Sequence, residues 1–332
     1  MITGLWLPLV TPFKDGAVDY ASYDRLIEHY IALGVDGLFP LGTTGEQPTF
    51  DEPEIDRLVE RTVARAAGRV PVFVGVGGNA THKVEKALRR LERFAFEGIV
   101  SVCPYYNRPS QDGLLAHFRR IAGATDRQVL IYNIPYRTAV NLSNESLLEL
   151  AQVPNIVGVK DSSGSIAQSL DLLARKPAGF SVLTGEDALF YTMMANGAEG
   201  GILAASHLFT DRFVTVARRF QANDIAGARA AWAPLAAAVR RGQPDADQVP
   251  AMAAGPDHFA RVPSAADTDF RLAGQPSRPA GRDGGGGVRL FVRGAPSANH
   301  GSRPAAPVPW SAAPAAAAAA RSAPRAAGDS SP

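Results

Sequence analysis

Asn155-Ile156-Val157-Gly158-Val159-Lys160-Asp161-Ser162-Ser163 is a short β-branched run that stops on a lysine and then turns polar. Such a run reads as a buried strand of a parallel sheet, with a loop beginning at its carboxyl end. A lysine at that junction has little water around it, and poor solvation favours the neutral, nucleophilic amine. Upstream, Val129-Leu130-Ile131 leads in the same way into Tyr132-Asn133-Ile134-Pro135-Tyr136-Arg137-Thr138. Either residue alone fits a side chain that merely closes a strand and reaches for solvent. An amine and a phenol at two successive strand ends instead match the face on which barrel enzymes keep their chemistry.

Working outward, the same alternation recurs along the chain. Strands are predicted at Leu5–Val10, Val35–Leu41, Val70–Val76, Gly98–Cys103, Val129–Tyr132, Ile156–Lys160, Ser181–Thr184 and Gly201–Ala205. Helical spacing is predicted between them at Tyr20–Leu33, Glu52–Ala67, Lys83–Phe96, Gly113–Ala124, Asn144–Ala151, Ile166–Ala174, Ala188–Asn196 and Leu208–Ala222. Asp19 is placed to cap the first helix and Gly34 to end it. Repeated strand-helix units of this number indicate a (β/α)₈ TIM barrel of the α/β class, spanning residues 1–240.

The 332 residues carry a formal charge of +2 and are 46% hydrophobic, with no apolar run of bilayer length and no marked basic face. This balance argues against nucleic-acid and membrane partners. Met1-Ile2-Thr3-Gly4 runs into the first strand without the basic and apolar regions of a secretory leader. Cys103 is the only cysteine, so a reducing, cytoplasmic setting is expected. The histidines at 29, 82, 117, 207, 258 and 300 make no metal-ligand spacing, and no metal is expected. Gly75-Val76-Gly77-Gly78-Asn79 lacks the downstream Gly-Lys-Ser/Thr of a phosphate loop and reads as a barrel turn. From residue 241 to 332 the chain is rich in Pro, Gly, Ala and Arg without periodic apolar positions, and disorder is expected there. A shifted reading frame in a GC-rich gene yields this mixture.

Four motifs at strand ends carry a resemblance: Gly42-Thr43-Thr44-Gly45-Glu46, Cys103-Pro104-Tyr105-Tyr106-Asn107-Arg108-Pro109-Ser110-Gln111, Tyr132-Asn133-Ile134-Pro135-Tyr136-Arg137-Thr138 and Gly158-Val159-Lys160-Asp161-Ser162. Together, over about residues 3 to 238, the chain resembles the dihydrodipicolinate synthase and N-acetylneuraminate lyase family of pyruvate-dependent class I aldolases, and is closer to its synthase branch. The resemblance implies that Lys160 forms an imine with pyruvate and that the resulting enamine attacks an aldehyde, aspartate semialdehyde in the synthases, on the route to lysine, with no organic cofactor or metal needed. It further implies a proton chain of Tyr132, Thr43 and Tyr106, the last from a neighbouring subunit of a homo-oligomer, dimer or tetramer. Thr44, Gly185 and Ile202 would line the pyruvate pocket, and Arg137 would grip the carboxylate of the second substrate.

Departures from the family pattern leave alternatives. Ala139 stands where glycine usually follows Arg-Thr, and Gln47-Pro48 replaces small residues. A related aldolase acting on a 2-keto-3-deoxy sugar acid or another keto acid is the second reading, and a barrel that only binds keto acids is the third. In feedback-regulated synthases a histidine and a glutamate bind lysine at positions matching Glu52 and Lys83 here. Lysine is therefore expected not to inhibit; inhibition at sub-millimolar lysine in a steady-state assay contradicts this.

Overall fold

Each β-branched run becomes a strand, and because a helix follows every one, all strands enter the sheet in the same direction. The computed structural model describes residues 1–241. Its barrel strands are β1 (Gly4–Leu7), β2 (Gly37–Leu38), β3 (Phe73–Gly75), β4 (Gly98–Val102), β5 (Gln128–Asn133), β6 (Ile156–Asp161), β7 (Ser181–Thr184) and β8 (Gly200–Ile202). They pair in the order β2-β1-β8-β7-β6-β5-β4-β3, all parallel. The ring closes where Leu38 bridges Val72, with Gly75 N donating to Pro40 O at 2.9 Å. The (β/α)₈ expectation therefore holds.

The covering helices are α1 (Tyr20–Ala32), α2 (Glu52–Ala66), α3 (Thr81–Leu91), α4 (Gln111–Gly123), α5 (Asn144–Leu150), α6 (Ile166–Arg175), α7 (Phe190–Ala195) and α8 (Thr210–Gln221), followed by α9 (Ile225–Arg241). Asp19 does cap α1, accepting from Ser22 N, and Asp51 with Glu54 makes a capping box on α2. The large apolar cluster lies between strands and helices, with Leu7, Val74, Ile131, Val159 and Phe213 in it. A smaller cluster fills the barrel with Trp6, Phe39, Phe73, Leu130, Tyr132, Leu183 and Ile202. The inner cluster is a packed floor, and the carboxyl ends of the strands sit above it.

Several predicted strands are longer than the observed ones: Leu5–Val10 contracts to Gly4–Leu7 and Val35–Leu41 to Gly37–Leu38. Leu9, Val10, Phe39 and Leu41 remain buried in the loops at the strand ends, so their apolarity reports burial rather than pairing. The helix predicted at Lys83–Phe96 starts two residues earlier, at Thr81, and stops at Leu91. Besides single helical turns such as Pro135–Thr138, two elements were not predicted. One is a small antiparallel hairpin, Phe13–Lys14 with Ala17–Val18, turning on Asp15 and Gly16. The other is α9, whose Ala228, Leu235 and Val239 are buried and whose Trp232 ring packs on Phe213 and Tyr191. Its spacing is helical, but Gly227 and Pro234 lie within it and argue against a helix. The tail predicted from residue 241 lies, beyond that first residue, outside the described residues. No helix among the described residues is long and apolar enough to cross a membrane.

One register detail positions the chemistry. Across β5 and β6, Val129 faces Ile156 but Leu130 faces Gly158, so Val157 is bulged out, and Tyr132 then stands opposite Lys160. The period of two sends Gly158 and Lys160 inward and Val159 and Asp161 toward α6, where Asp161 accepts from the Ser169 hydroxyl. A Cβ on Gly158 would lie 2.2 Å from Ser181 O, so the inner wall admits no side chain there. Gly158→Ala is expected to cost about 1–3 kcal/mol by overpacking, read as a lowered thermal midpoint.

Candidate active site

Lys160 ends β6 inside the barrel mouth and is only 6% exposed. Its Nζ lies 4.2 Å from the centroid of the Tyr132 ring and 5.3 Å from that of Phe39. Burial pulls the amine down from 10.5 to about 7, while Asp187 and Glu186 pull it up and Arg137 pushes it further down. Near neutral pH a substantial share of this lysine is therefore free base. The amine faces inward against the phenol of the neighbouring strand.

Tyr132 is itself buried, and burial pushes its phenol above the ordinary range, with Tyr136 adding to the rise. The hydroxyls of Ser162 and Thr43 favour the ionised phenol and act in the opposite direction. Ser162 is 1% exposed and is held by its N donating to Asn133 O at 2.9 Å, one step beyond the Tyr132–Lys160 pair. Asn133 shapes the turn and does not face the amine: its Oδ1 accepts from Leu142 N and its Nδ2 donates to Asn141.

A cavity of about 380 Å³ opens beside the phenol, with Phe39, Thr43, Gln47, Tyr105, Tyr132 and Arg137 in its wall. Lys160 is not part of that wall, but two of the rings that are, Tyr132 and Phe39, pack on its amine. In the turn Gly42–Gly45, Gly45 N and Glu46 N donate to Gly42 O and Thr43 O, both at 3.1 Å. Among the described residues the amides of Thr43 and Thr44 have no such acceptor, which leaves two donors for an anionic group. The turn is fastened from below by the Thr11 hydroxyl donating to Gly45 O at 2.9 Å.

The remaining sequence candidates fall in different places. Ile202 is buried in the inner cluster with Tyr132. Gly185 lies beside the amine: a Cβ there would stand 3.0 Å from Lys160 Cε and 2.0 Å from Ser162 Oγ, so only glycine leaves both side chains their positions. Arg137 lies in a single helical turn, Pro135–Thr138, that ends on Ala139 in the left-handed region at φ +59°. That conformation is where the usual glycine would be unstrained. Tyr106 is 87% exposed at φ +72° and does not enter this chain's cavity, whereas its neighbour Tyr105 does.

Sequence reading assigned no role to Ser162, Glu186, Asp187 or Phe39. Asp187 accepts from Ala205 N at 3.1 Å, and burial raises its carboxyl to about 6. Glu186 is also raised, by burial and then by Asp161. The available signal was Gly185-Glu186-Asp187 at a strand end, adjacent carboxylates one strand from a buried lysine. Cys103 is no nucleophile, since burial pushes its thiol up to about 12. Among the described residues no group of three or more His, Cys, Asp or Glu side chains is placed to hold a metal ion.

The Dihydrodipicolinate synthetase family matches residues 1–237. The 4-hydroxy-tetrahydrodipicolinate synthase 2 of Clostridium acetobutylicum is 46% identical over 235 residues, covering 71% of this chain and 82% of that protein. The 4-hydroxy-tetrahydrodipicolinate synthase of the thermoacidophilic methanotroph Methylacidiphilum fumariolicum SolV superposes with a TM-score of 0.72 at 32% identity, over 84% of this chain and 92% of that one. The chloride-inhibited dihydrodipicolinate synthase of Acinetobacter baumannii, solved with pyruvate, gives 0.69 at 31% identity, over 72% and 84%. A buried lysine and tyrosine paired at the mouth of a parallel barrel thus sit in a chain that belongs to the dihydrodipicolinate synthetase family.

Proposed function

We propose that this chain is a 4-hydroxy-tetrahydrodipicolinate synthase, condensing pyruvate with aspartate semialdehyde through an imine on Lys160 in the route to lysine. The observation that carries this reading is the Lys160 amine, buried, in register with Tyr132 and pulled down to about 7. The names of the relatives at 46% and 32% identity support the same reaction.

The free amine attacks the keto carbon of pyruvate, and loss of water gives the imine. Tyr132 carries protons to and from the reacting atoms, with Thr43 as one hydroxyl partner. The free amides of Thr43 and Thr44 suit the pyruvate carboxylate, Gly185 leaves room along the Lys160 side chain, and Ile202 packs with Tyr132 in the inner cluster. The cationic imine then acidifies the methyl carbon, whose proton passes to Tyr132 while the C–H electron pair becomes the enamine C=C bond, and the enamine attacks the aldehyde. Arg137 in the cavity wall offers a two-pronged grip on a carboxylate of that second substrate.

Tyr106 extends from the surface, and the exposed ring suits a site completed by a second copy, as in a homodimer or homotetramer. A cytoplasmic location belongs to the same reading. Gln47 in the cavity wall favours a second reading, the same imine chemistry on a different aldehyde or keto acid. A panel of aldehydes separates the two.

Borohydride reduction in the presence of pyruvate is expected to add the mass of the reduced adduct at Lys160, and none in Lys160→Ala; labelling elsewhere contradicts the assignment. Because the amine must lose its proton to attack, the trapping rate should rise with pH through about 7 and level above it. A rate that keeps climbing toward 10.5 would show an ordinary solvated lysine. Arg137→Ala should leave trapping intact while lowering kcat/KM for aspartate semialdehyde about 10- to 100-fold, from roughly 1.5–3 kcal/mol for a charged hydrogen bond.

A further inference from the structure

A carboxylate in the wall of a largely apolar cavity has lost water, and without a partner it has gained nothing in return. Glu46 is in that position. It is half-buried in the wall of the cavity beside the Tyr132 phenol, and its carboxylate makes no hydrogen bond or ion pair among the described residues. Burial raises it above the ordinary carboxylate range, with no charged neighbour to oppose the rise. Among the described residues of that wall, Glu46 is the sole acid and Arg137 the sole base. They do not pair with each other; the Arg137 guanidinium lies over the Tyr136 ring instead, 5.5 Å from its centroid.

The backbone at this position gives no local reason for a glutamate. Its φ of +59° lies in the left-handed region, where glycine or asparagine is less strained. The turn is nevertheless fastened on both sides of it. Glu46 N donates to Thr43 O at 3.1 Å, and Glu46 O accepts from Thr49 N at 2.9 Å and from the Thr49 hydroxyl at 2.8 Å. Gly45, just before it, is tied to the Thr11 hydroxyl and approaches Leu9 O so closely that a Cβ would stand 2.8 Å away. The acid is therefore held at a set place in the wall, on the same turn whose Thr43 and Thr44 amides suit the pyruvate carboxylate. An observed backbone outlier that carries a charged side chain into a cavity is a pointer to function.

We propose that the Glu46 carboxylate accepts the α-ammonium group of the second substrate while Arg137 holds that substrate's carboxylate, so that the cavity selects an aldehyde of the α-amino acid class. The proposal rests on the imine reading above and narrows it to one kind of partner. One acid and one base on the same wall, unpaired with each other, complement a zwitterion. Aspartate semialdehyde carries a carboxylate, an ammonium and an aldehyde on one short chain. With the two charged groups held, its aldehyde is left for the enamine on Lys160. A 2-keto-3-deoxy sugar acid offers hydroxyls to the same wall but no cation to answer Glu46. Gln47 and Thr49, also in the wall, are neutral and cannot make that distinction by charge.

Succinate semialdehyde has the same chain, carboxylate and aldehyde and lacks only the ammonium group. Its inhibition constant against aspartate semialdehyde can be read whether or not it turns over itself. Glu46→Gln is expected to lower kcat/KM for aspartate semialdehyde about 10- to 100-fold, the range for a charged hydrogen bond, without weakening the inhibition constant of succinate semialdehyde. Glu46→Asp should recover part of the loss. Borohydride trapping with pyruvate on the same preparations reads whether the turn and the imine survive the change. Three results overturn the proposal: kcat/KM unchanged in Glu46→Gln, both aldehydes weakened in proportion, or a trapped fraction that falls with kcat/KM, because Glu46 would then serve the turn or the imine. Absence of labelling at Lys160 in the unaltered protein overturns the imine reading itself and this proposal with it.

Discussion

The desolvation of one amine organises the upper end of this barrel. Removing water from Lys160 favours the uncharged form, and the structure supplies that dryness with aromatic faces from two neighbouring parts of the barrel, Phe39 and Tyr132. The inward face of β6 must then be narrow below the lysine and open beside it. Gly158 and Gly185 meet these two needs, one under the amine's strand and one along its side chain.

Charge around the amine is balanced rather than one-sided. Asp187 and Glu186 on β7's carboxyl end oppose the desolvation, and Arg137 from the end of β5 reinforces it. Desolvation is the largest influence, so the amine ends near neutrality and can serve alternately as nucleophile and as positively charged imine nitrogen. The same two carboxylates are in turn raised by burial. A site of this kind stores unfavourable solvation in exchange for reactivity, and the surrounding packed layers hold it closed.

Much of this was legible from residues alone, because strand ends in a barrel announce themselves. The β-branched runs ending at Lys160 and Tyr132 carry both the fold and the pairing, since a parallel register of like runs sets their last residues side by side. The turn of Thr43 and Thr44, Gly185 and Ile202 also lie where a barrel mouth brings strands together. Ser162 was not legible: only the missing Cβ at Gly185, on another strand end, leaves its hydroxyl the space it occupies near the Lys160 side chain. The helix Ile225–Arg241 was hidden by Gly227 and Pro234, where tertiary burial of Ala228, Leu235 and Val239 outweighs propensity. Tyr106 lies at the surface, outside the cavity of its own chain.

The bulge at Val157 has a bearing on how this sequence can change over time. It adds one residue to β6 ahead of Gly158, and that single count decides which face of the sheet the lysine occupies. Were the two strands to pair residue for residue from Ile156, Lys160 would fall opposite Asn133 and its amine would turn toward α6. The bulged residue is thus the one whose removal would leave the amine facing the phenol, while a residue added after Gly158 would carry it off the inner face.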